Sequence, residues 1–441
     1  MTAERSEHPL RQRLSILVAA LLTVPGVALR LSGAEPDPAV GAALFGLAIV
    51  GSAFMLAWAA EAAQLDISAG LALAALAFVA VLPEYAVDLV FAWKAADDPS
   101  QAALALANMT GANRLLIGIG WSMVVLVAAW RYQASRIRSH EIELERSHAI
   151  EISFLMIATG YSLTIPLRSS LTLIDSVVLV AIFVAYVIRI AKAPAEEPHL
   201  VGPAQYLGNL PVAKRRTSVL GLFAFSAGVI LLCAEPFAES LVHAGEKLGV
   251  DTFLLVQWLA PLASEAPELV VAGLFAWRLN TNAALGTLVS SKVNQWTLLV
   301  GTIPIVYAIS SGTRHGLPLD GMQQEEIFLT AAQSVFAVAV LSNLRISVTE
   351  ALALLSLFMT QFILGIVVHE SIRDEIRIGT GVIYLVLAAM TFIAQRRNIR
   401  PLLSDGFRTP LLELSGKTDV GQSSQPEQPD APTNTSEHAP A

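Results

Sequence analysis

Apolar residues run along this chain in long blocks, not in the i, i+3, i+4 stripes of a soluble helix or the alternation of a half-buried strand. A helix needs roughly 20 mainly apolar residues to cross a bilayer. Twelve blocks approach or exceed that length: 14–31, 39–63, 69–93, 103–130, 150–167, 171–191, 217–243, 250–277, 283–309, 325–344, 348–368 and 377–394. The pattern predicts an all-α polytopic membrane protein with about 12 transmembrane helices. Residues 14–31 follow Arg11 and Arg13 as a signal peptide would, but the run lacks a clean small-residue cleavage site and reads as a span. From 401 to 441 Pro, Ser, Thr, Gln and acidic residues dominate, a composition too polar to bury a core, so this stretch reads as a disordered tail.

Composition narrows the function. Charged residues make up 15% and hydrophobic residues 54% of the 441, whereas a soluble globular chain carries about a quarter charged. With the N-terminus placed inside, the loops assigned to the cytoplasm hold 19 Lys and Arg and the opposite loops hold seven, the bias that orients membrane proteins. An even number of spans then puts both termini in the cytoplasm and the chain in the inner (plasma) membrane. No basic face with interleaved aromatics offers a nucleic-acid surface. The single cysteine, Cys233, excludes a disulfide framework and a cysteine-based metal cluster. No Walker motif suggests a pump, and no nucleophile–base pair or zinc motif suggests an enzyme. The expected partners are inorganic cations and the lipid bilayer, with no cofactor.

The chain also repeats itself. PEYAVDLVFAWK (83–94) and PELVVAGLFAWR (267–278) share six of twelve positions at an offset of 184, and ALANMTGANRLLIG (105–118) aligns with ALGTLVSSKVNQWT (284–297) at an offset of 179. Residues 84 and 268 are five spans apart, and an odd number of crossings inverts one copy against the other. Inverted repeats whose interrupted helices meet near the midplane are a recurring plan of secondary transporters.

Within those repeats lie residues that a bilayer tolerates poorly. Glu84 and Glu268 each follow a proline inside an apolar helix, and a carboxylate there costs at least ~2.5 kcal/mol on insertion scales. The proline removes a backbone donor and frees the carbonyls of Val79 and Ala263, hard oxygens that suit a cation. Asp88, one turn beyond Glu84, and Glu265, three residues before Glu268, can point the same way. Asn108, Asn113, Ser264, Ser291 and Gln295 add neutral oxygens, although such residues also join membrane helices to one another. Arg114 and Lys292 fall mid-helix at nearly matching places. Buried charges pair, so each is expected to face one of the four acids, as a structural ion pair or as a built-in competitor for the cation. Fully ionised, the six groups sum to −2. Glu235 and Glu239 flank Pro236 and offer a secondary polar route only if their helix does not shift them into solvent.

These motifs resemble the cation/calcium exchanger superfamily, whose sodium/calcium exchanger members carry two inverted α-repeats with Gly-Thr-Ser-Leu-Pro-Glu followed by Gly-Asn-x-x-Gly-Ser-Asn. Here the pattern stands as Val79-Ala80-Val81-Leu82-Pro83-Glu84 with Ala107-Asn108-Met109-Thr110-Gly111-Ala112-Asn113, and as Ala263-Ser264-Glu265-Ala266-Pro267-Glu268 with Gly286 to Lys292. The resemblance covers residues 39–368 and implies two five-helix repeats, 39–191 and 217–368, joined by a cytoplasmic linker at 192–216. One extra helix is added at each end, within 1–38 and 369–400. Glu84 and Glu268 match the family's paired ion-binding glutamates and Ser264 matches a hydroxyl ligand. Ala80 and Val81 have lost the hydroxyls of the first copy, Lys292 replaces an asparagine, and Leu116 and Gln295 stand where exchangers often place Asn or Asp, so the member is a divergent one of prokaryotic type. The implied function is secondary antiport by alternating access, with Ca2+ exchanged for Na+ or H+. Na+/H+ exchange and a transport-impaired scaffold or sensor are the alternatives.

Overall fold

The computed structural model describes residues 9–66, 82–134, 141–192 and 200–414. The chain is helical almost throughout. α1 (Pro9–Ser32) and α2 (Pro38–Ala63) precede α3, described over Leu82–Lys94. The expected span 69–93 is thus seen in its second half, and its residues 69–81, with Val79, Ala80 and Val81, lie outside the described residues. α4 begins at Ser100–Leu115, passes through a π-helical turn over Leu116–Trp121, and continues as Ser122–Ala134. α5 (Ala149–Ser162), α6 (Leu173–Ile190) and a short α7 (Pro203–Gly208) complete the first half. The second half comprises α8 (Val212–Leu248), α9 (Thr252–Trp277), and α10, which runs over Thr281–Asn294, a π-turn at Gln295–Leu299 and Val300–Ser311. α11 (Gly321–Leu341), α12 (Val348–Val367), α13 (Glu370–Ala394) and α14 (Arg396–Phe407) follow. Among the described residues, eleven helical stretches are long and apolar enough to cross a membrane; α3 supplies the described part of the twelfth.

Helix ends are written in polar residues. Thr172 with Asp175, Asp320 with Gln323 and Ser347 with Glu350 form reciprocal capping boxes at the starts of α6, α11 and α12. Gly249 and Gly312 close α8 and α10 in the left-handed conformation that a glycine adopts at least cost.

Four short strands disclose the symmetry. β1 (Glu141–Glu143) follows α4 and pairs antiparallel with β4 (Arg345–Ser347), which follows α11. β2 (Ser170–Leu171), after α5, pairs antiparallel with β3 (Leu317–Pro318), after α10. A shift of 175 residues carries the bridge Glu143–Arg345 onto Pro318–Ser170, and Ile142–Ile346 onto Leu317–Leu171. The two clasps are therefore copies of one another. Five spans separate β1 from its counterpart β3, so the clasps lie on opposite faces of the membrane. The duplication is an inverted one, as the motif spacing predicts. The π-turns of α4 and α10 begin at Leu116 and Gln295, at the sequence offset of 179.

The C-terminal stretch departs from expectation. Residues 401–414 are not loose: α14 and a final turn at Leu411–Leu414 dock on the end of α5. Leu402, Leu411 and Leu414 are buried, Arg146 grips the Asp405 carboxylate with two nitrogens at 3.0 and 2.9 Å, and Arg189 donates to the carbonyls of Gly406 and Thr409. Average composition concealed a few leucines on one helical face.

Candidate functional site

The site forms where α4 crosses α9. Gly111 permits the crossing: a Cβ there would lie 1.7 Å from the Gln257 carbonyl oxygen, so no other residue fits this approach. α9 carries Pro261 and Pro267 in its interior, each removing a backbone donor from the helical ladder. The π-turns of α4 and α10 follow directly on the polar residues 113–114 and 291–294, and one-turn π segments of this kind recur at functional sites.

Glu84, Asp88 and Glu265 are at most 3% exposed, and Glu268 is half-buried. Glu84 lies within electrostatic reach of all three other acids and its carboxyl meets that of Glu265. The four acids, two from each repeat, are thus brought together. Asn108 Nδ2 donates to Asp88 Oδ1 at 2.7 Å, and Gln295 Nε2, at the start of its π-turn, donates to Glu265 Oε1 at 2.6 Å. Ser291 faces Glu268. Both oxygens of Glu84, Asp88 Oδ2, Glu265 Oε2 and Glu268 Oε2 are buried without a protein donor, as are Asn108 Oδ1 and Gln295 Oε1. Two carboxyl groups bond each other only when one of them holds a proton, and unpaired carboxylates in a low-dielectric interior require neutralisation. Among the described residues no three acidic or histidine side chains converge tightly enough to hold a metal ion in this conformation. The cluster is an open set of oxygens and not a preformed cage.

Two candidates have oxygens engaged elsewhere. Ser264 donates to the carbonyls of Ala260 and Pro261 on its own helix, at 3.3 and 3.2 Å. Asn113 spends its side-chain oxygen on Lys292, whose Nζ donates to it at 2.6 Å while resting 4.5 Å from the centroid of the Trp296 ring. Asn113 and Lys292 are 179 residues apart, so repeat-equivalent positions touch and the pseudo-two-fold axis passes through their contact.

The expectation that both internal cations face the four acids needs correction. Lys292 lies within electrostatic reach of Glu84 and Glu265, although its bonds go to Asn113. Arg114 turns away. Its Nη2 meets Glu326 Oε2 on α11 at 2.5 Å, with both side chains buried, and its guanidinium lies over Trp258 at 5.1 Å. The reason is helical geometry: one residue beyond Asn113 means about 100° of rotation, which aims Arg114 at α11 and not at the cluster. Glu326 is the residue that sequence reasoning missed. The predicted span begins at 325, which leaves Glu326 at its edge, whereas α11 starts at Gly321 and buries it. The shift of 175, which places Glu151-Ile152 on Glu326-Ile327, was the available signal. Glu235 and Glu239, in contrast, are about half exposed within the C-terminal half of α8 and pair with Arg30 and Lys94.

Comparisons with known proteins agree with this architecture. The chain matches the family described as sodium/calcium exchanger protein over residues 38–192 and 218–390. Among solved structures, it is similar to the H+/Ca2+ exchanger CAX at 42% identity, covering 92% of this chain and all of that one, with a TM-score of 0.84. The Ca2+/H+ antiporter protein YfkE shares the fold at 15% identity, with 85% of this chain and all of that one covered and a TM-score of 0.57. Comparison with curated protein sequences gives no match. Two inverted repeats, their buried acids and a family match over most of its length agree: the chain belongs to the sodium/calcium exchanger family, multi-pass membrane transporters that act as cation/calcium antiporters and not as enzymes.

Proposed function

We propose that this protein exchanges Ca2+ for protons, with Glu84 and Glu268 as the paired ion-binding carboxylates and Glu265 and Asp88 completing the site. One observation carries the reading: the carboxyl oxygens of both repeats meet in the interior, and Glu84 has no protein donor on either oxygen. Such oxygens accept a hard cation or a proton, and one group cannot hold both at once. Mutually exclusive occupancy gives antiport without ATP. The similarity to CAX, itself an H+/Ca2+ exchanger, favours protons over Na+ as the counter-ion.

Charge balance favours a divalent cargo. Because Glu326 neutralises Arg114, the inner cluster holds four carboxylates against the one ammonium of Lys292, a balance of −3 and not −2. Three protons neutralise it, and so do one Ca2+ and one proton. Exchange between these two neutral states moves two protons per Ca2+ and no net charge. Asn108, Gln295 and Ser291 supply further oxygens as the cluster contracts around the ion; Asn113 and Ser264 act through Lys292 and the α9 backbone. The termini lie in the cytoplasm and the membrane is the inner (plasma) membrane. Ion pairs Arg215–Asp66 and Arg146–Asp405 each join segments that the span count assigns to one face, and the Lys and Arg excess there makes that face the cytoplasmic one.

The test is flux in proteoliposomes. Vesicles acidic inside are expected to take up radioactive Ca2+, with Na+ gradients ineffective. Glu84→Gln and Glu268→Gln each remove a buried charged ligand, worth roughly 3 kcal/mol or more, or about a 100-fold loss. Uptake driven by Na+ and indifferent to pH would overturn the reading in favour of sodium coupling. Proton-driven Na+ movement without any effect of Ca2+ would favour Na+/H+ exchange, and wild-type flux equal to that of the double variant would leave only a scaffold.

A further inference from the structure

Helix α14 carries arginines that the protein supplies with no counter-charge. α13, which leads into it, crosses the bilayer with Val382, Val386, Met390 and Ile393 exposed along one side, an apolar stripe at helical spacing that faces lipid. It ends at Ala394, and α14 starts at Arg396. The residue between them is pinned: Gln395 accepts a hydrogen bond of 2.6 Å from Ser342, which caps α11. Two spans, α11 and α13, end at this level, so Arg396 and Arg397 stand at the membrane boundary.

From there α14 crosses to the first repeat along the lipid-facing side of α5. A Cβ at Gly406 would lie 2.2 Å from Ser153 Oγ, Ser153 donates to the Leu402 carbonyl at 3.3 Å, and the Phe407 and Phe154 rings meet with centroids 5.0 Å apart. One turn beyond Ser153, and deeper in the membrane, Ile157 is exposed on the same face of α5. Lipid therefore lies directly beneath α14. The contacts also fix its rotation. Leu402 and Gly406 face α5, and at 100° per residue Asp405 falls on one flank and Leu403, Phe407, Arg396 and Arg400 on the other. Asp405 points back to Arg146, before α5 begins, whereas Phe407 points to Phe154, farther along α5 and into the membrane. Apolar and basic side chains thus share the membrane-ward flank, the pattern of a helix that lies in the interface.

Arg396, Arg397, Arg400 and Arg408 are exposed. The one acid of the helix, Asp405, is held by Arg146, and Glu141 and Glu143 of β1, on the same face of the membrane, are held by Arg345. Among the described residues no carboxylate pairs with any of the four arginines. We infer that these arginines bind the phosphate groups of anionic phospholipids in the adjoining leaflet, and that this contact holds α14 against α5. A guanidinium meets two phosphate oxygens with two nitrogens, and four such groups at headgroup level complement an anionic surface. The leaflet is the cytoplasmic one in the orientation given above, and the contact is independent of which ions are exchanged.

The experiment follows thermal unfolding of the full chain in detergent while phosphatidylglycerol or phosphatidylcholine is added to the micelles. Phosphatidylglycerol is expected to raise the melting temperature of the wild type, and NaCl at about 0.5 M to remove most of the gain. Phosphatidylcholine and inorganic phosphate should give none. Each arginine adds about fivefold to binding at an anionic surface. Arg396→Gln/Arg397→Gln/Arg400→Gln should therefore raise the phosphatidylglycerol concentration for half the effect roughly 100-fold, whereas the matching triple lysine variant keeps most of the response. An equal gain in wild type and glutamine variant overturns the inference. So does an equal fall in melting temperature of that variant in both lipids, because the arginines would then act within the protein, and so does a gain from inorganic phosphate that matches phosphatidylglycerol. The chain's own acids at Asp419, Glu427, Asp430 and Glu437 are the remaining competitor. A lipid response seen only after these four are changed to their amides would assign the arginines to the tail and overturn the lipid contact.

Discussion

Lys292 offers the sharpest test of the charge balance at the inner cluster. Its ammonium is buried, bonded to Asn113 and within reach of Glu84 and Glu265. Lys292→Gln keeps a donor for Asn113 and removes the charge, taking the cluster from −3 to −4. Two unit charges roughly 8 Å apart at an effective dielectric of about 20 interact by ~2 kcal/mol, and a divalent ion doubles that. Even if relaxation and water reduce the effect by more than half, Ca2+ affinity should tighten at least tenfold, about 1.4 kcal/mol. Calorimetric titration of the purified protein at pH 7.5 reads the Kd directly. Transport should move the opposite way, with turnover falling because the ion leaves a deeper well. Lys292→Arg, which retains the charge, is expected to stay near the wild type in Kd. An unchanged or weaker Kd in Lys292→Gln would show that Lys292 carries no charge at the site, and the two-proton balance would fall with it.

Three further outcomes follow from the packing. The Arg114–Glu326 pair is 2.5 Å long with both partners buried, so Glu326→Gln alone should cost about 3–5 kcal/mol of stability while Arg114→Met/Glu326→Gln costs far less; thermal unfolding in detergent of both variants checks this, and equal losses would refute it. Gly111→Ala drives a methyl to within 1.7 Å of a backbone oxygen on α9 and should yield poorly folded protein by size-exclusion profile, whereas Gly160→Ala, where no neighbouring atom lies within 4 Å, should not. Asp66, beyond the end of α2, is held down to about 2 by its hydrogen bond from Arg215, with Arg216 adding to it. A depressed carboxyl contributes stability that is complete above its unfolded value near 4 and is lost as pH falls through 2. The melting-temperature gap between wild type and Asp66→Asn should therefore be constant above about pH 5 and close on acidification.

What the sequence disclosed, and what it hid, divides along physical lines. Spans, their number and the inverted duplication were legible because lipid imposes long apolar blocks and because Pro-Glu and Phe-Ala-Trp recur in one register. The four acids were legible because ionisable groups in such blocks are conspicuous. Their partners were not. Whether Arg114 turns to the cluster or to α11 depends on 100° of helix rotation and on where α11 begins, and hydropathy locates neither closely. The docking of α14 was hidden for a related reason: a handful of leucines and one aspartate, spaced along a helix, vanish in an average over a polar tail.

The pseudo-symmetry itself carries a consequence. Identical inverted repeats would give inward- and outward-open states of equal free energy, since each would mirror the other. Every departure from identity biases that equilibrium. Here the departures concentrate on one side of the axis: Lys292 stands opposite Asn113, and Glu326 is clamped by Arg114 and Arg377 where Glu151 has Ser290 at 3.4 Å, His148 at 3.7 Å and Tyr186 nearby. A rearrangement that separates α4 from α11 must break a buried ion pair, while its mirror image on the other face breaks a weak hydroxyl contact. The two access states are therefore unequal, and the costlier opening lies on the face of the Arg114–Glu326 pair.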